Sequence, residues 1–149
     1  MATLLRREFT VSAASHRAWD HLARVEQWPS WASHIKRIEL HPPGDIGPES
    51  TGVIQLTNGL KPMFRVTDFN RPRNWKWVAT FLWLRLDYDH QFEPLDAEHT
   101  KLIWIIEAKG FGARVLGRLF AWIYRRDLDK AIPRLIREFG DAARHEERL

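Results

Sequence analysis

Residues Phe9 to Leu40 read FTVSAASHRAWDHLARVEQWPSWASHIKRIEL, and their pattern indicates how the chain begins to fold. It starts inside the run Leu4 to Val11, where apolar and polar side chains alternate as they do in a half-buried strand. Helical apolar spacing follows from His16, with Ser15 as the candidate N-cap. Pro29 ends that run and can open a second short helix, because its missing N–H costs nothing there. The stretch therefore predicts a strand followed by two short helices.

Three tryptophans, Trp19, Trp28 and Trp31, lie in this stretch, and the chain of 149 residues contains eight. Tryptophan combines a large apolar surface with one N–H group, so it favours cores, cavity walls and interfaces. We expect these three to be packing wedges between the short helices and the surface beneath them. This is a structural role and not a catalytic one.

The rest of the first 110 residues alternates between short strand-like runs and turns rich in glycine, proline and asparagine. No helical run separates these strands, so they are predicted to form an antiparallel meander. The predicted strands are Ile35–Leu40, Gly52–Thr57, Met63–Phe69, Asn74–Trp83, Leu86–Leu95 and His99–Lys109.

One long helix is predicted from about Gly112 to the end of the sequence. Its apolar residues recur every four positions, and because a helical turn takes 3.6 residues, such a stripe spirals around the helix. Pro133 removes one backbone hydrogen bond and is expected to kink this helix. The repeat is Leu116, Phe120, Tyr124, Leu128, Ile132 and Ile136, with Leu119, Ile123, Leu135 and Phe139 beside it.

This order of elements resembles that of the polyketide cyclase/dehydrase and lipid-transport superfamily, also called SRPBCC or START-like. The resemblance implies an α+β helix-grip fold, in which a curved antiparallel sheet of about six to seven strands wraps around a long C-terminal helix. It further implies a cavity between sheet and helix that holds an apolar or aromatic small molecule. The length favours a single domain over residues 1–149. The resemblance rests on Val11, Ala14, Trp19, Trp28 and Pro29-Ser30-Trp31, and more loosely on VTDFNRPRNWKW, residues Val66 to Trp77.

Tyr88 and His90 are the sharpest candidates for chemistry, because strand alternation turns both inward with Leu86 and Phe92. An inward histidine can donate a proton to a bound ligand or accept one from it. The alternative is a core histidine bonded to a neighbouring group. Asp68 is a candidate for the rim of the pocket, where it would orient a substrate. The candidate ligand-binding residues are Trp77, Phe81, Tyr88, His90, Trp104, Phe120 and Tyr124.

Several other classes of site have no support in the sequence. Without cysteine there is neither a disulfide nor a thiolate metal site, and the seven histidines form no i, i+4 pair and no HExxH motif. No G-x-S-x-G elbow is present. The segment GFGARVLG resembles a phosphate-binding loop, but Val115 stands where the third glycine belongs. We therefore expect neither a metal nor a cofactor.

The formal net charge is +4, but the arginines are interleaved with acidic residues, so nucleic-acid binding is not expected. No apolar run is long enough for a signal peptide or a transmembrane helix, which favours a cytoplasmic location. Trp122 lies off the apolar stripe of the long helix, among arginines. It is expected to be a single exposed tryptophan, and the alternative is a homodimer contact or a peripheral membrane contact.

Two functions follow from the resemblance. The first is binding or transport of an apolar or aromatic small molecule, such as a lipid, a quinone or a polyketide-like compound. The second is a cyclase, aromatase or dehydratase that uses His90 and Tyr88 in the same cavity. The loop His41–Ser50 and the turn Thr57–Pro62 are expected to flank the mouth of this cavity.

Overall fold

The computed structural model describes residues 2–81, 84–110 and 113–147. The predicted end of the fifth strand, Trp83, and the predicted start of the long helix, Gly112, lie outside these residues. The elements are β1 Ala2–Val11, α1 Ser15–Ala23, a 3₁₀ helix Val25–Ser30, β2 Ile35–His41, β3 Thr51–Leu56, β4 Met63–Asn70, β5 Asn74–Phe81, β6 Leu84–Pro94, β7 Thr100–Lys109 and α2 Ala113–Glu147.

The seven strands form one antiparallel sheet in the order β1-β7-β6-β5-β4-β3-β2. From β2 onward each strand pairs with its successor, as the predicted meander requires, and β1 returns to pair with β7. The chain leaves one edge of the sheet through α1 and the 3₁₀ helix and enters the opposite edge at β2. With α2 added, this is the expected α+β helix-grip fold. None of the described helices is both long enough and apolar enough to cross a membrane.

The ends of the two short helices differ from the expectation. The N-cap of α1 is Ala14, whose extended backbone makes no side-chain capping bond, and Ser15 is already the first helical residue. Pro29 does not open the second helix but lies near its end. The proline is tolerated there because the helix is a short 3₁₀ segment that stops one residue later.

Helix α2 lies against β1. An added Cβ at Gly117 would come within 2.6 Å of a methyl carbon of Leu4, so glycine allows the helix backbone its close approach to the strand. Further along, Arg7 Nη1 of β1 lies 2.6 Å from Asp129 Oδ1 of α2. These two contacts fix the helix along the edge strand.

The second half of α2 is tied to the short helices through Glu138. One carboxylate oxygen lies 2.7 Å from His21 Nε2, and the other accepts a 2.9 Å hydrogen bond from Ser30 Oγ. Below them the ring of Phe139 packs 4.5 Å from that of His21. The helix, α1 and the 3₁₀ helix are thereby joined at one end of the sheet.

The tryptophans of the opening stretch are buried, as expected of packing wedges. The ring of Trp19 meets the ring of Trp75 edge-on at 4.9 Å and that of Phe69 at 5.3 Å. Trp28 donates its indole N–H to the carbonyl oxygen of Leu22 at 2.9 Å, so its polar atom is satisfied inside the core.

The apolar stripe of α2 faces the sheet only in part. Leu128, Ile132 and Leu135 are buried, but Ile136 from the same repeat is 38% exposed. A step of four residues advances the side chain by about 40° around the helix. By Ile136 the repeat has therefore turned away from the core, and the flanking Leu119 and Ile123 are exposed as well.

Candidate functional site

A cavity of about 80 Å³ lies between the concave face of the sheet and α2, and it is partly open to solvent. Its wall comes from five strands, from the first half of α2, and from the 3₁₀ helix with the segment that follows it. Most of the surface is apolar, and the polar side chains stand at a few positions. The lining residues are Trp28, Trp31, Ala32, His34, Ile35, Ile54, Leu56, Pro62, Ala79, Tyr88, Asp89, His90, Trp104, Ile106, Tyr124 and Leu128.

Two tyrosine hydroxyls meet at the wall of this cavity. The hydroxyl oxygens of Tyr88, on β6, and Tyr124, on α2, are 2.5 Å apart. Burial raises the pKa of Tyr88 well above its usual range, and it also raises the pKa of Tyr124. Both groups therefore keep their protons at neutral pH. One hydroxyl donates to the other, so the pair retains one O–H that can donate to a ligand.

His90 lies two residues from Tyr88 on the same face of β6 and is 7% exposed. Its Nδ1 lies 3.3 Å from the carbonyl oxygen of Trp75. A carbonyl only accepts, so Nδ1 carries the hydrogen and Nε2 presents a lone pair. Among the described residues, Nε2 has no hydrogen-bond partner. His90 therefore offers an acceptor to the cavity.

The surroundings of His90 keep the ring neutral. Its ring stacks on Trp75 with centroids 5.0 Å apart and lies 4.6 Å from the ring of Trp77. Burial lowers the pKa of His90 to about 4, although the bond to the Trp75 carbonyl and the charge of Asp89 act in the opposite direction. At neutral pH the residue is an uncharged hydrogen-bonding group.

The structure brings together four of the candidate ligand-binding residues, Tyr88, His90, Trp104 and Tyr124, at the cavity. Trp77 lies behind this wall, packed against His90. The sequence pattern places all of these on inward faces, but it cannot distinguish the cavity wall from the layer beneath.

The remaining two candidate ligand-binding residues are Phe120 and Phe81. Phe120 stacks on Tyr124, with ring centroids 6.3 Å apart, and is not part of the cavity lining in the described part of the chain. The backbone of Phe81 ends β5, but its side chain lies outside the described residues.

Asp68, the candidate for the pocket rim, lies on the other face of the sheet. The pairing of β4 with β5 shifts between Val66 and Asp68, which leaves Asp68 opposite Lys76. Such a bulge reverses the side to which later side chains point. Asp68 is therefore exposed on the convex face, away from the cavity.

Trp28 and Trp31 line the cavity in addition to packing the short helices. The ring of Trp31 stacks on Trp104 of β7 with centroids 5.7 Å apart. This contact with the cavity goes beyond the packing role expected from the sequence. The position of the two tryptophans in the sequence could have indicated this contact, because the 3₁₀ helix must cross one end of the concave face to reach β2.

One of the two predicted mouth segments lies at the cavity. Leu56 and Pro62, at either end of the β3–β4 turn, line it together with His34. Burial lowers the pKa of His34, and the charge of Asp127 on α2 opposes this change. The loop His41–Ser50 contributes no lining residue. It is held against α1 instead, where Ile46 is buried and donates its N–H to the carbonyl oxygen of Ala23.

Metal ligands are not assembled here. Within residues 2–81, 84–110 and 113–147, no group of three histidine, aspartate or glutamate side chains is placed to hold a metal ion. The cavity lining is mostly apolar, and the carboxylate of Asp89 is bonded to Asn74 and Gln91.

The cavity, the curved sheet and the gripped helix agree with the match of residues 2–139 to the sequence profile of one family, described as polyketide cyclase / dehydrase and lipid transport. The chain belongs to this family. Its members are associated with hydrophobic ligands, and the apolar cavity of this chain fits that association. No curated protein matches the chain.

Solved structures share the fold at low sequence identity. The protein XoxI from Bacillus cereus is 14% identical, with a TM-score of 0.74 over 96% of this chain and 99% of that one. A START superfamily protein from Mycobacterium smegmatis is also 14% identical, with a TM-score of 0.69 over 92% and 99% of the two chains. The di-domain ARO/CYC BexL of the BE-7585A biosynthetic pathway is 17% identical, with a TM-score of 0.65 over 91% of this chain and 44% of its own.

Proposed function

We propose that this protein binds a small, neutral molecule with an apolar ring in the cavity between the sheet and α2. The observation that carries the proposal is the composition of the cavity wall. Aromatic and aliphatic side chains surround it, while Tyr88, Tyr124 and His90 supply hydrogen-bonding groups without charge. Such pockets bind ligands through apolar contact and orient them through a few polar groups.

The size of the cavity limits the ligand. An apolar cavity of about 150 Å³ holds one benzene molecule, and this cavity measures about 80 Å³. It is partly open, so a ring can enter with part of its surface left outside. Among the ligand classes that the resemblance implies, this favours a quinone-like ring over a long acyl chain enclosed along its length, and the same reasoning extends to other single rings such as phenols.

The polar groups define which atoms the ligand presents. Residues 88 and 90 are two positions apart on one strand, which places their side chains about 7 Å apart along β6. His90 Nε2 accepts, so it pairs with a hydroxyl of the ligand. The tyrosine pair has one hydrogen left to donate, so it pairs with a carbonyl or ether oxygen. The burial that lowers the pKa of His90 also disfavours a charged ligand.

Three ligands of matched shape test this proposal: 4-ethylphenol, ethylbenzene and 4-ethylbenzoate, each titrated calorimetrically at pH 7. The phenol is expected to bind about fivefold more tightly than the hydrocarbon, because one net hydrogen bond contributes about 1 kcal/mol. His90→Phe is expected to abolish this preference while binding of ethylbenzene persists. The absence of saturable binding by all three, or tighter binding of the benzoate, would contradict the proposal.

A second candidate function is a cyclase, aromatase or dehydratase reaction on a similar ligand. The hydrogen bond from His90 Nδ1 to the Trp75 carbonyl favours it, because that bond directs the other nitrogen as an orienting group does for a catalytic base. A pKa of about 4 makes His90 a weak base at neutral pH, so binding is the better supported function. Turnover of a hydroxylated polyketide analogue that His90→Phe abolishes, with affinity retained, would favour the enzyme.

A further inference from the structure

An exposed apolar cluster lies on the side of α2 that faces away from the sheet. Leu119 and Trp122 are 54% and 57% exposed, and Ile123 is 40% exposed. Residues three and four apart share one side of a helix, so the three side chains form one patch. The patch is independent of the cavity, whose wall is built by the opposite side of α2.

Unpaired positive charge surrounds this cluster. Arg118, Arg125 and Arg126 are exposed, and within the described part of the chain none of them is paired with a carboxylate. The guanidinium carbon of Arg126 lies 4.9 Å from the ring centroid of Trp122. We call these three arginines together with Leu119, Trp122 and Ile123 the basic apolar face.

Positive charge is concentrated in the part of α2 that carries this face. Between residues 113 and 137 there are seven arginines and lysines and two aspartates, a net charge of +5, whereas the whole chain carries +4. One of those aspartates, Asp129, is already paired with Arg7 of β1. The field outside this part of α2 is therefore positive.

We propose that the basic apolar face docks on an anionic lipid surface. Apolar side chains enter the boundary between headgroups and acyl chains, tryptophan favours that boundary, and arginines pair with lipid phosphates. A second copy of the chain fits less well, because two such faces in contact would oppose unpaired arginines. A nucleic acid would meet the arginines but would leave Leu119 and Ile123 in water.

Sedimentation with vesicles tests the proposal on the full chain. Vesicles of equal parts phosphatidylglycerol and phosphatidylcholine are expected to bind the protein at low salt and to release it as salt rises. Trp122→Ser is expected to weaken binding about tenfold, because a large apolar side chain leaves the membrane. Arg125→Gln is expected to weaken it about fivefold.

Two matched variants control for exposure and charge. Leu95→Ser removes an apolar residue that is 51% exposed in the β6–β7 turn, and Arg73→Gln removes an exposed arginine in the β4–β5 turn. Both are expected to bind as the unaltered chain does, and thermal melts check that all variants fold. Equal losses in these controls, or equal binding to pure phosphatidylcholine, would overturn the proposal.

The competing occupants give distinct results. Displacement from the vesicles by an equimolar single-stranded RNA would overturn the lipid assignment in favour of nucleic acid. If light scattering detects a dimer, and Trp122→Ser converts that dimer to a monomer, the result would overturn the lipid assignment in favour of a second copy of the chain. A monomer that stays on the vesicles when RNA is added supports the lipid surface.

Discussion

His90 makes the stability of this protein depend on pH in a way that one substitution removes. The folded chain holds the ring neutral, with a pKa of about 4 against an ordinary value of 6.5. Below pH 6.5 the unfolded chain has the His90 ring protonated, whereas the folded chain keeps it neutral until the pH approaches 4. The folded state is therefore unaffected by this group above pH 6.5 and loses stability as the pH falls from 6.5 towards 4.

The size of the effect follows from the difference between the two pKa values. Each pH unit inside this window lowers the free energy of unfolding by about 1.4 kcal/mol. The difference between 6.5 and about 4 gives a total of about 3 kcal/mol, of which about 2 kcal/mol is lost between pH 7 and pH 4.5.

Urea unfolding of the unaltered chain and of His90→Asn measures this loss. Asparagine can still donate to the Trp75 carbonyl but does not titrate. We expect the stability of the unaltered chain relative to the variant to fall by about 2 kcal/mol between pH 7 and pH 4.5. His16→Asn, at an exposed position in α1, is the control for replacing a histidine with asparagine. Parallel stability curves for His90→Asn and the unaltered chain would refute the assigned burial of His90.

Two further predictions concern packing and the tyrosine pair. Gly52→Ala is expected to cost about 1–3 kcal/mol in urea unfolding, because its Cβ would lie 2.5 Å from a ring carbon of Phe64 and from a backbone oxygen of β2. Gly140→Ala, with open space at the Cβ position inside α2, is expected to stabilise by about 1 kcal/mol, and the opposite order of the two variants would be evidence against the packing described. A double-mutant cycle with Tyr88→Phe and Tyr124→Phe is expected to give a coupling energy of about 1 kcal/mol, and a value near zero would mean that the hydroxyls do not bond.

The elements of the fold were predictable because they follow local patterns, and the family resemblance implied their helix-grip arrangement. Apolar alternation marks β5 to β7, and the turn residues between strands leave no room for a crossover helix. The inward direction of Tyr88 and His90 needed only this alternation, since their strand is regular along its length.

The parts of the site that differ from the prediction depend on tertiary packing. A bulge after Val66 places Asp68 on the convex face, and no residue type in β4 predicts that bulge. The volume of the cavity and the partner of each hydroxyl depend on side-chain positions, which alternation does not determine. Similarly, the four-residue repeat of α2 indicates one stripe, while the geometry of the helix turns Ile136 outward.

Methyl NMR during titration with 4-ethylphenol tests the claim that the cavity binds a ligand. The methyl groups of Ile54, Ile106 and Leu128 report on three sides of the cavity. Saturable shifts confined to them are expected, and Ala79→Leu, which fills the same space, is expected to abolish the shifts and keep the fold. Shifts that never saturate, that spread over the surface, or that persist unchanged in Ala79→Leu would contradict the claim.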